Sequence, residues 1–278
     1  MINFFKKYNK KSVSKKAILK KNFIPFDLGK MLRIGNNKDG GYLVSKNGIN
    51  NCKFLLSLGV GFNWSFEKKF MQLKNSEDRL VICYDNSISK EILREYSAKN
   101  FFRIFYKPSF KAIQRSLKYL DFKKLFDSKK AIHIKKNIDS EKSDSTETLN
   151  NIFQNLENNN LLKVDIEGSE YKILDQIINN FNKMSVLIIE FHNLSDKKNK
   201  EKFEFFFEKI SDSFYLSHLH MNNANGIALD NFPDTIELTF EKKYILNNIP
   251  KRKIESFPLN NLDFPNSKNT NDYNLVFE

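Results

Sequence analysis

Asp165 and Glu167 stand two residues apart at the end of the apolar run Leu161–Val164, and Gly168 follows them. Carboxylates so spaced can take up a proton, orient an acceptor or hold a cation. Glu190 and His192 repeat the spacing downstream, and His218 and His220 repeat it again. In a strand, a period of two puts each pair on one face. Histidine titrates closest to neutrality and is the simplest general base. The chemistry these residues point to is therefore deprotonation of an acceptor hydroxyl by His192 or His220, with Asp165 or Glu167 orienting the base or the acceptor. Asn222 and Asn223 suit hydrogen bonds to hydroxyl groups, and with Glu190 and His218 they form the candidate acceptor contacts. The same donors admit a divalent cation held by Asp165, His192 and His220, which would acidify the hydroxyl instead. Taken singly, each histidine also reads as a satisfied structural residue. Convergence on one sheet edge is what singles out the set.

A second constellation lies upstream. Lys53–Leu58 reads as a buried strand and is followed by Gly59 and Gly61. Phe66, Phe70 and Leu73 then fall at helical spacing, with Ser65 as N-cap. Leu80–Tyr84 is a second apolar strand ending in Asp85. Strand, glycine turn, helix, strand and terminal acid make a nucleoside-binding βαβ unit, in which the acid accepts hydrogen bonds from ribose hydroxyls. Gly59, Gly61, Asn63, Asp85 and Asp165 are the candidate cofactor contacts. Trp64 stands where a dinucleotide site has its third glycine. That argues against NAD and for a nucleoside with no pyrophosphate, such as S-adenosylmethionine. Further upstream, Asn36–Gly41 is a turn cluster leading into a strand at Tyr42–Val44. It reads either as a surface hairpin or as a loop offering Asp39 and Tyr42 to a ligand.

The elements that must position these residues centre on Leu161–Leu174. A buried strand there delivers Asp165 and Glu167 to its carboxyl end and turns into a helix carrying Tyr171, Leu174, Ile178 and Phe181. Between Asp85 and Leu161 the spacing predicts a helix over Lys90–Ala98, a strand over Phe101–Tyr106 and a helix over Phe110–Phe126 with Ile113, Leu117, Leu120 and Leu125 inward. A strand at Ala131–Ile138 and a short helix at Thr148–Leu156 follow. His133, alternating with Ile132 and Ile134, reads either as a surface or satisfied histidine or as one facing the site. This stretch is longer than a plain nucleotide fold needs, which places an insertion around 107–130. Met184–Phe191 is a buried strand, Asn199–Ile210 an amphipathic helix, and Phe214–His220 with Thr235–Phe240 a hairpin. The expected organisation is a basic tail over 1–22, one domain over 23–245 and an irregular extension over 246–278.

Composition bounds the rest. The chain has 278 residues and a net charge of +13, carried mostly by lysine. With no arginine-rich block, zinc spacing or RNA-binding aromatic signature, no nucleic acid partner is expected. The basic amino terminus reads as a solvated tail with at most weak contact to a membrane surface. No run of 18 apolar residues occurs, so no transmembrane segment is expected. Cys52 and Cys83 both sit in or beside apolar runs, which suggests buried free thiols, a reducing compartment and a cytoplasmic location.

The sequence KVDIEGSEYKIL resembles the signature of the FkbM-type methyltransferases, and LLSLGVGFNWSFE resembles the cofactor loop of one branch of that family. DGGYLV, IIEFH and HLHMNN with PDTIELTF are similar to the same branch, so the resemblance runs from about Arg33 to Phe240. It implies an α/β, Rossmann-like class I methyltransferase fold: a mostly parallel seven-stranded sheet whose C-terminal hairpin supplies an antiparallel strand. It also implies S-adenosylmethionine bound by Gly59, Gly61 and Asp85, Asp165 and Glu167 beside the transferred methyl, and O-methylation of a sugar or glycoconjugate. The stretch from Asp85 to Leu161 departs from the family pattern. The rival readings are a metal-dependent hydrolase and a non-catalytic carbohydrate-binding module on the same sheet edge.

Overall fold

The computed structural model describes residues 16–73, 79–245 and 249–278. Most of the basic amino terminus, and with it the expected membrane contact there, lies outside the described residues. In chain order the elements begin with β1 (Lys16–Leu19), the hairpin strands β2 (Met31–Gly35) and β3 (Gly41–Ser45), α1 (Lys46–Asn50) and β4 (Phe54–Leu58). Next come α2 (Ser65–Met71), β5 (Leu80–Tyr84), α3 (Lys90–Tyr106), α4 (Phe110–Ser116), α5 (Lys118–Phe126), β6 (Ala131–Ile134), β7 (Asn137–Ile138) and β8 (Thr146–Glu147). They continue with α6 (Leu149–Gln154), β9 (Asn160–Val164), α7 (Leu174–Asn179), β10 (Met184–Phe191), α8 (Lys197–Ser211), β11 (Phe214–Met221), β12 (Ile236–Lys242) and β13 (Asn274–Phe277).

Seven strands form the main sheet in the order β11-β12-β10-β9-β4-β5-β6. Only β12 runs antiparallel, between β10 and β11, while the β4, β5, β6, β9 and β10 pairings are parallel. The expected mostly parallel sheet with an antiparallel hairpin strand is therefore present. Its central strands are apolar on both faces, as a sheet covered on both sides requires: every residue of β9 and β10 is buried. One covering helix shows the rule plainly. In α8, Phe203, Phe206, Phe207 and Ile210 fall at i, i+3, i+4 and i+7 and are buried, and Asp196 caps the helix by accepting from the Asn199 amide. Each such side chain contributes about 2–3 kcal/mol by leaving water.

The register puts the chemistry on one edge. Leu58 pairs with both Tyr84 and Val164, so Gly59, Asp85 and Asp165 leave the sheet at one level. Val164 pairs with Ile189, which brings Glu190 beside Asp165. Glu190 pairs with Glu237, and Glu237 with His220.

Several local expectations change. Phe101–Tyr106 is not a strand but the second half of α3, which runs from its Ser89 cap to the residues before Pro108. A short aromatic run carries no period of its own, and the packed positions Leu93, Ser97 and Asn100 set the helical spacing that leads into it. Phe110–Phe126 divides into α4 and α5; Leu125 is inward, but Ile113, Leu117 and Leu120 are exposed. Ser65 begins α2, and Trp64 occupies the N-cap position. Glu170–Lys172 forms a 3₁₀ turn before α7. Finally, β1 pairs in parallel with β13, so Lys16–Leu19 at the end of the expected tail and Asn274–Phe277 of the expected irregular extension are tied to each other. Cys52 and Cys83 are buried free thiols. Among the described residues no helix is long and apolar enough to cross a membrane.

Candidate active site

A cavity of about 720 Å³ opens at the carboxyl edge of the sheet. Its cofactor side is the turn after β4. Gly59 has φ +75°, and a Cβ there would stand 1.7 Å from the Asp165 carbonyl oxygen, so no side chain fits between the two strand ends. Asp85 Oδ2 accepts from the amides of Val60 (2.8 Å) and Gly61 (2.6 Å), and Oδ1 accepts from the amide and hydroxyl of Ser87. Burial alone would raise the Asp85 pKa, but these hydrogen bonds outweigh it and hold the carboxyl below its usual range. Its acceptor positions are thus engaged in shaping the loop. Trp64 is buried against Phe122 of α5 and donates to Asp121 at 2.8 Å, so its bulk packs away from the cavity. Asn63 lines the cavity and ties the turn to the β2–β3 hairpin by donating to the Asp39 carbonyl. His133 contacts the Asp85 carbonyl oxygen through Nε2 at 3.1 Å.

The other side joins β3, β9 and β10. The Tyr42 hydroxyl lies 3.0 Å from Asp165 Oδ2 and 3.5 Å from Glu190 Oε2. Burial first, then the charges of Asp165 and Glu190, push the Tyr42 pKa well up, so this hydroxyl is a donor. The hairpin reading and the ligand-loop reading of this stretch describe one structure: β2 and β3 pair, and the hairpin brings Asp39 to the cavity wall. Glu190 accepts from Asn222 Nδ2 at 2.8 Å. Burial, then Asp165 and Glu237, raise its pKa well above the carboxylate range.

His192 lies on the cavity wall with Nδ1 2.7 Å from Glu170 Oε1. Glu170 is wholly buried and also accepts from the Gly168 amide. With Nδ1 donating to that carboxylate, the lone pair is on Nε2, which lies 3.6 Å from Glu167 and 3.7 Å from Glu190. Burial opposes protonation of His192, but the hydrogen bond and charge of Glu170, and then Asp165 and Glu167, leave its pKa raised. The Tyr171 hydroxyl donates to the His192 carbonyl at 2.6 Å and fixes the strand end. The residue orienting this imidazole is therefore Glu170, whereas the sequence pointed to Asp165 or Glu167. Glu167 is instead largely exposed, at φ +52°.

The two histidines of β11 are elsewhere. His220 contacts Asp272 at 2.9 Å through Nε2 and Glu237 at 3.4 Å through Nδ1. His218 Nε2 contacts Asp263 at 2.9 Å. Asn223 donates to the carbonyls of Ser267 and Thr270 and accepts from the Ser267 amide. None of the three lines the cavity. Apart from Glu237, their partners come from residues 263–272, so these side chains dock the C-terminal segment, which in turn sends Asn266 to the cavity wall. The donors that do gather tightly are Asp165, Glu190 and His192, with one ligand atom from each within 4.8 Å of the others. Glu190 thus takes the place expected for His220 in a metal-holding set.

Sequence reasoning missed Glu170, Ser87 and Lys163. Lys163 is buried, with Nζ 3.1 Å from the Gly59 carbonyl and 3.8 Å from Asp165 Oδ2. Burial would lower its pKa, but Asp165 and Glu67 raise it, so it stays an ammonium that binds the two strand ends together. A lysine inside an apolar strand, two residues before Asp165, was its legible signal.

Strand order and edge geometry define a class I, Rossmann-like methyltransferase fold. Within it, residues 114–222 match the methyltransferase FkbM domain, a range that runs from α4 through Asp165, Glu170, Glu190 and His192 to Asn222. The resemblance of the central motif is borne out over that range. No curated protein matches the chain. Among solved structures it is similar to a candidate rRNA methylase from Clostridium thermocellum, at 12% identity and TM-score 0.35, covering 68% of this chain and 88% of that one. It is also similar to precorrin-6y C5,15-methyltransferase from Geobacter metallireducens, at 10% identity and TM-score 0.36, covering 76% and 98%. The fold assignment rests on the strand order rather than on these overlaps.

Proposed function

We propose that the protein is an S-adenosylmethionine-dependent O-methyltransferase acting on a hydroxyl of a sugar or glycoconjugate. The observation that carries the reading is the Glu170–His192 pair, which leaves Nε2 on the cavity wall at the same sheet edge as the glycine turn. The cofactor fits the chain: Gly61 lines the cavity and a Cβ there would meet open space, so a nucleoside can lie against the backbone of the turn. Gly59, Gly61, Asn63 and Asp85 would hold it, Asp85 chiefly by shaping the turn. When bound, it supplies an electrophilic methyl group.

The chain's own part is proton handling and orientation. His192 Nε2 would accept the proton of the acceptor hydroxyl, and Glu170 would stabilise the imidazolium that results. Asp165, held by Tyr42 and Lys163, and Glu190, held by Asn222, position the acceptor. A polyol suits a wall of carboxylates and amides that includes Asp39, Glu190, Asn222, Asn225 and Asn266. Two buried free thiols suit a reducing, cytoplasmic setting.

A second reading, a divalent cation on Asp165, Glu190 and His192, is favoured by their convergence. Titration calorimetry separates the readings. The expected result is binding of S-adenosylmethionine and not NAD by chelator-treated protein, followed by methyl transfer to a saccharide without added metal. No binding of S-adenosylmethionine overturns the proposal, and activity only with added metal selects the second reading.

A further inference from the structure

Helix α3 is inverted relative to the usual amphipathic pattern. Toward its C-terminus it buries Ser97 and Asn100, while Phe101, Phe102, Phe105 and Tyr106 stand in solvent, the last two 75% and 77% exposed. The rings form one cluster, with Phe101 5.6 Å from Phe105 and 6.0 Å from Phe102. Helices α4 and α5 pack on α3 and extend the apolar surface with exposed Phe110, Ile113, Leu117 and Leu120. Monomeric proteins rarely expose so many large apolar side chains together without a partner for them.

Charge identifies the partner. From Tyr96 to Leu120 the chain carries Lys99, Arg103, Lys107, Lys111, Arg115 and Lys118 and not one carboxylate. Lys118 lies over the Trp64 ring, and none of the other five is in an ion pair among those found for the described residues. Lys38, next to the cavity-lining Asp39, lies close to Lys268 and Lys111, and this crowding of like charges lowers its pKa. Exposed aromatic and aliphatic side chains interleaved with lysine and arginine on short helices are what an anionic bilayer surface takes up: rings enter the headgroup boundary and cations meet lipid phosphates. The face also adjoins the active-site cavity, because Phe62 of the cavity wall packs on Tyr96 of α3 at 4.9 Å.

We propose that the α3–α5 face docks the protein peripherally on an anionic membrane surface, distinct from any contact made by the basic amino terminus. Docking does not depend on methyl transfer, so the test needs no turnover. Full-length protein is floated with vesicles of phosphatidylcholine alone or with one-third phosphatidylglycerol, at low and high salt. Expected is flotation with the anionic vesicles, with affinity reduced about tenfold or more by the double substitution Phe102→Ser, Phe105→Ser. Lys107→Glu with Lys111→Glu should weaken binding to a similar degree and abolish its salt dependence in part. All four side chains are exposed, so the thermal melting temperature and S-adenosylmethionine affinity of both variants should match those of the parent. Equal flotation of parent and aromatic variant overturns the proposal, since the amino terminus would then account for it. So does a dimer in light scattering that the aromatic substitutions dissolve, or binding of RNA but not vesicles.

Discussion

The ends of β10 and β11 both carry titratable residues at alternate positions, Glu190 with His192 and His218 with His220, and the molecule uses them differently. His192 has one nitrogen on a buried carboxylate and the other on the cavity wall. His220 has both nitrogens on acids, and His218 one, with partners 45 and 52 residues away in the C-terminal segment. Glu170, by contrast, reaches His192 from only 22 residues away, from the 3₁₀ turn before α7. Period-two spacing decides which face a histidine points from. Whether that face meets a ligand or a strap is decided by chain that arrives later.

The sharpest way to break this comparison is to remove each imidazole. His192→Ala should lower the rate of methyl transfer by about 10²–10⁴-fold, as loss of a general base does, with the melting temperature little changed. His220→Gln should do the reverse. It leaves Asp272 and Glu237 facing each other without the cation between them, which destabilises the fold by about 3 kcal/mol while the folded fraction keeps its rate. Rate assays paired with denaturant unfolding read both effects. A large rate loss in folded His220→Gln would place that histidine in the chemistry and dissolve the distinction. A smaller effect sharpens it: Glu170→Gln should reduce kcat by about tenfold to a hundredfold with KM nearly constant, because the base loses its orientation and its imidazolium partner.

How much of this was legible follows from range. The individual strands, the glycine turn, and Asp165, Glu190 and His192 at strand ends were readable because each is written in a short local run, whereas the seven-stranded order followed from the family resemblance. Tyr42 was readable as a polar group beside a glycine turn. Glu170 was hidden by its position: the helical spacing assigned it to the first turn of a helix, and the 3₁₀ geometry that buries it is not a periodic signal. His218, His220 and Asn223 looked like site residues because their partners, Asp263, Asp272, Ser267 and Thr270, lie in a segment with no period of its own. The outward aromatic face of α3 is hidden for a related reason: Phe101–Tyr106 is a short aromatic run of strand-forming residues with no helical period of its own.

The strap should also respond to pH in a way the cavity side does not. Asp272 and Glu237 raise the His220 pKa well above its ordinary value despite burial. In the unfolded chain a histidine titrates near about 6.5. The contribution of His220 is therefore complete below that value and is lost as pH rises through the folded-state value. Asp263 runs the other way. Burial opposes ionisation, but His218 and His220 hold its pKa at about 2, so its contribution is present above the unfolded value of about 3.9 and is lost as pH falls toward 2. Limited proteolysis across pH should find residues 249–278 protected from about pH 4 upward and released in the alkaline range. In His220→Gln the alkaline release should vanish into a uniformly weaker hold. Protection that ignores pH in the parent would mean these pairs do not fasten the segment.

The smallest expected effect tests the open side of the comparison. Gly61 has φ +51°, and a Cβ added there meets nothing within 4 Å. Gly61→Ala should therefore cost only the left-handed backbone strain, about 1 kcal/mol, seen as a small fall in melting temperature. Gly61 lines the cavity, and its amide is one of the two that Asp85 Oδ2 holds. A methyl group there meets no protein atom, so whatever it disturbs beyond stability is ligand. If S-adenosylmethionine affinity falls by more than the stability does, the turn is in contact with the cofactor. If affinity and stability fall together, or neither changes, the space beside Gly61 belongs to the acceptor or to solvent, and the cofactor contacts must be sought along Gly59 and Asn63 instead.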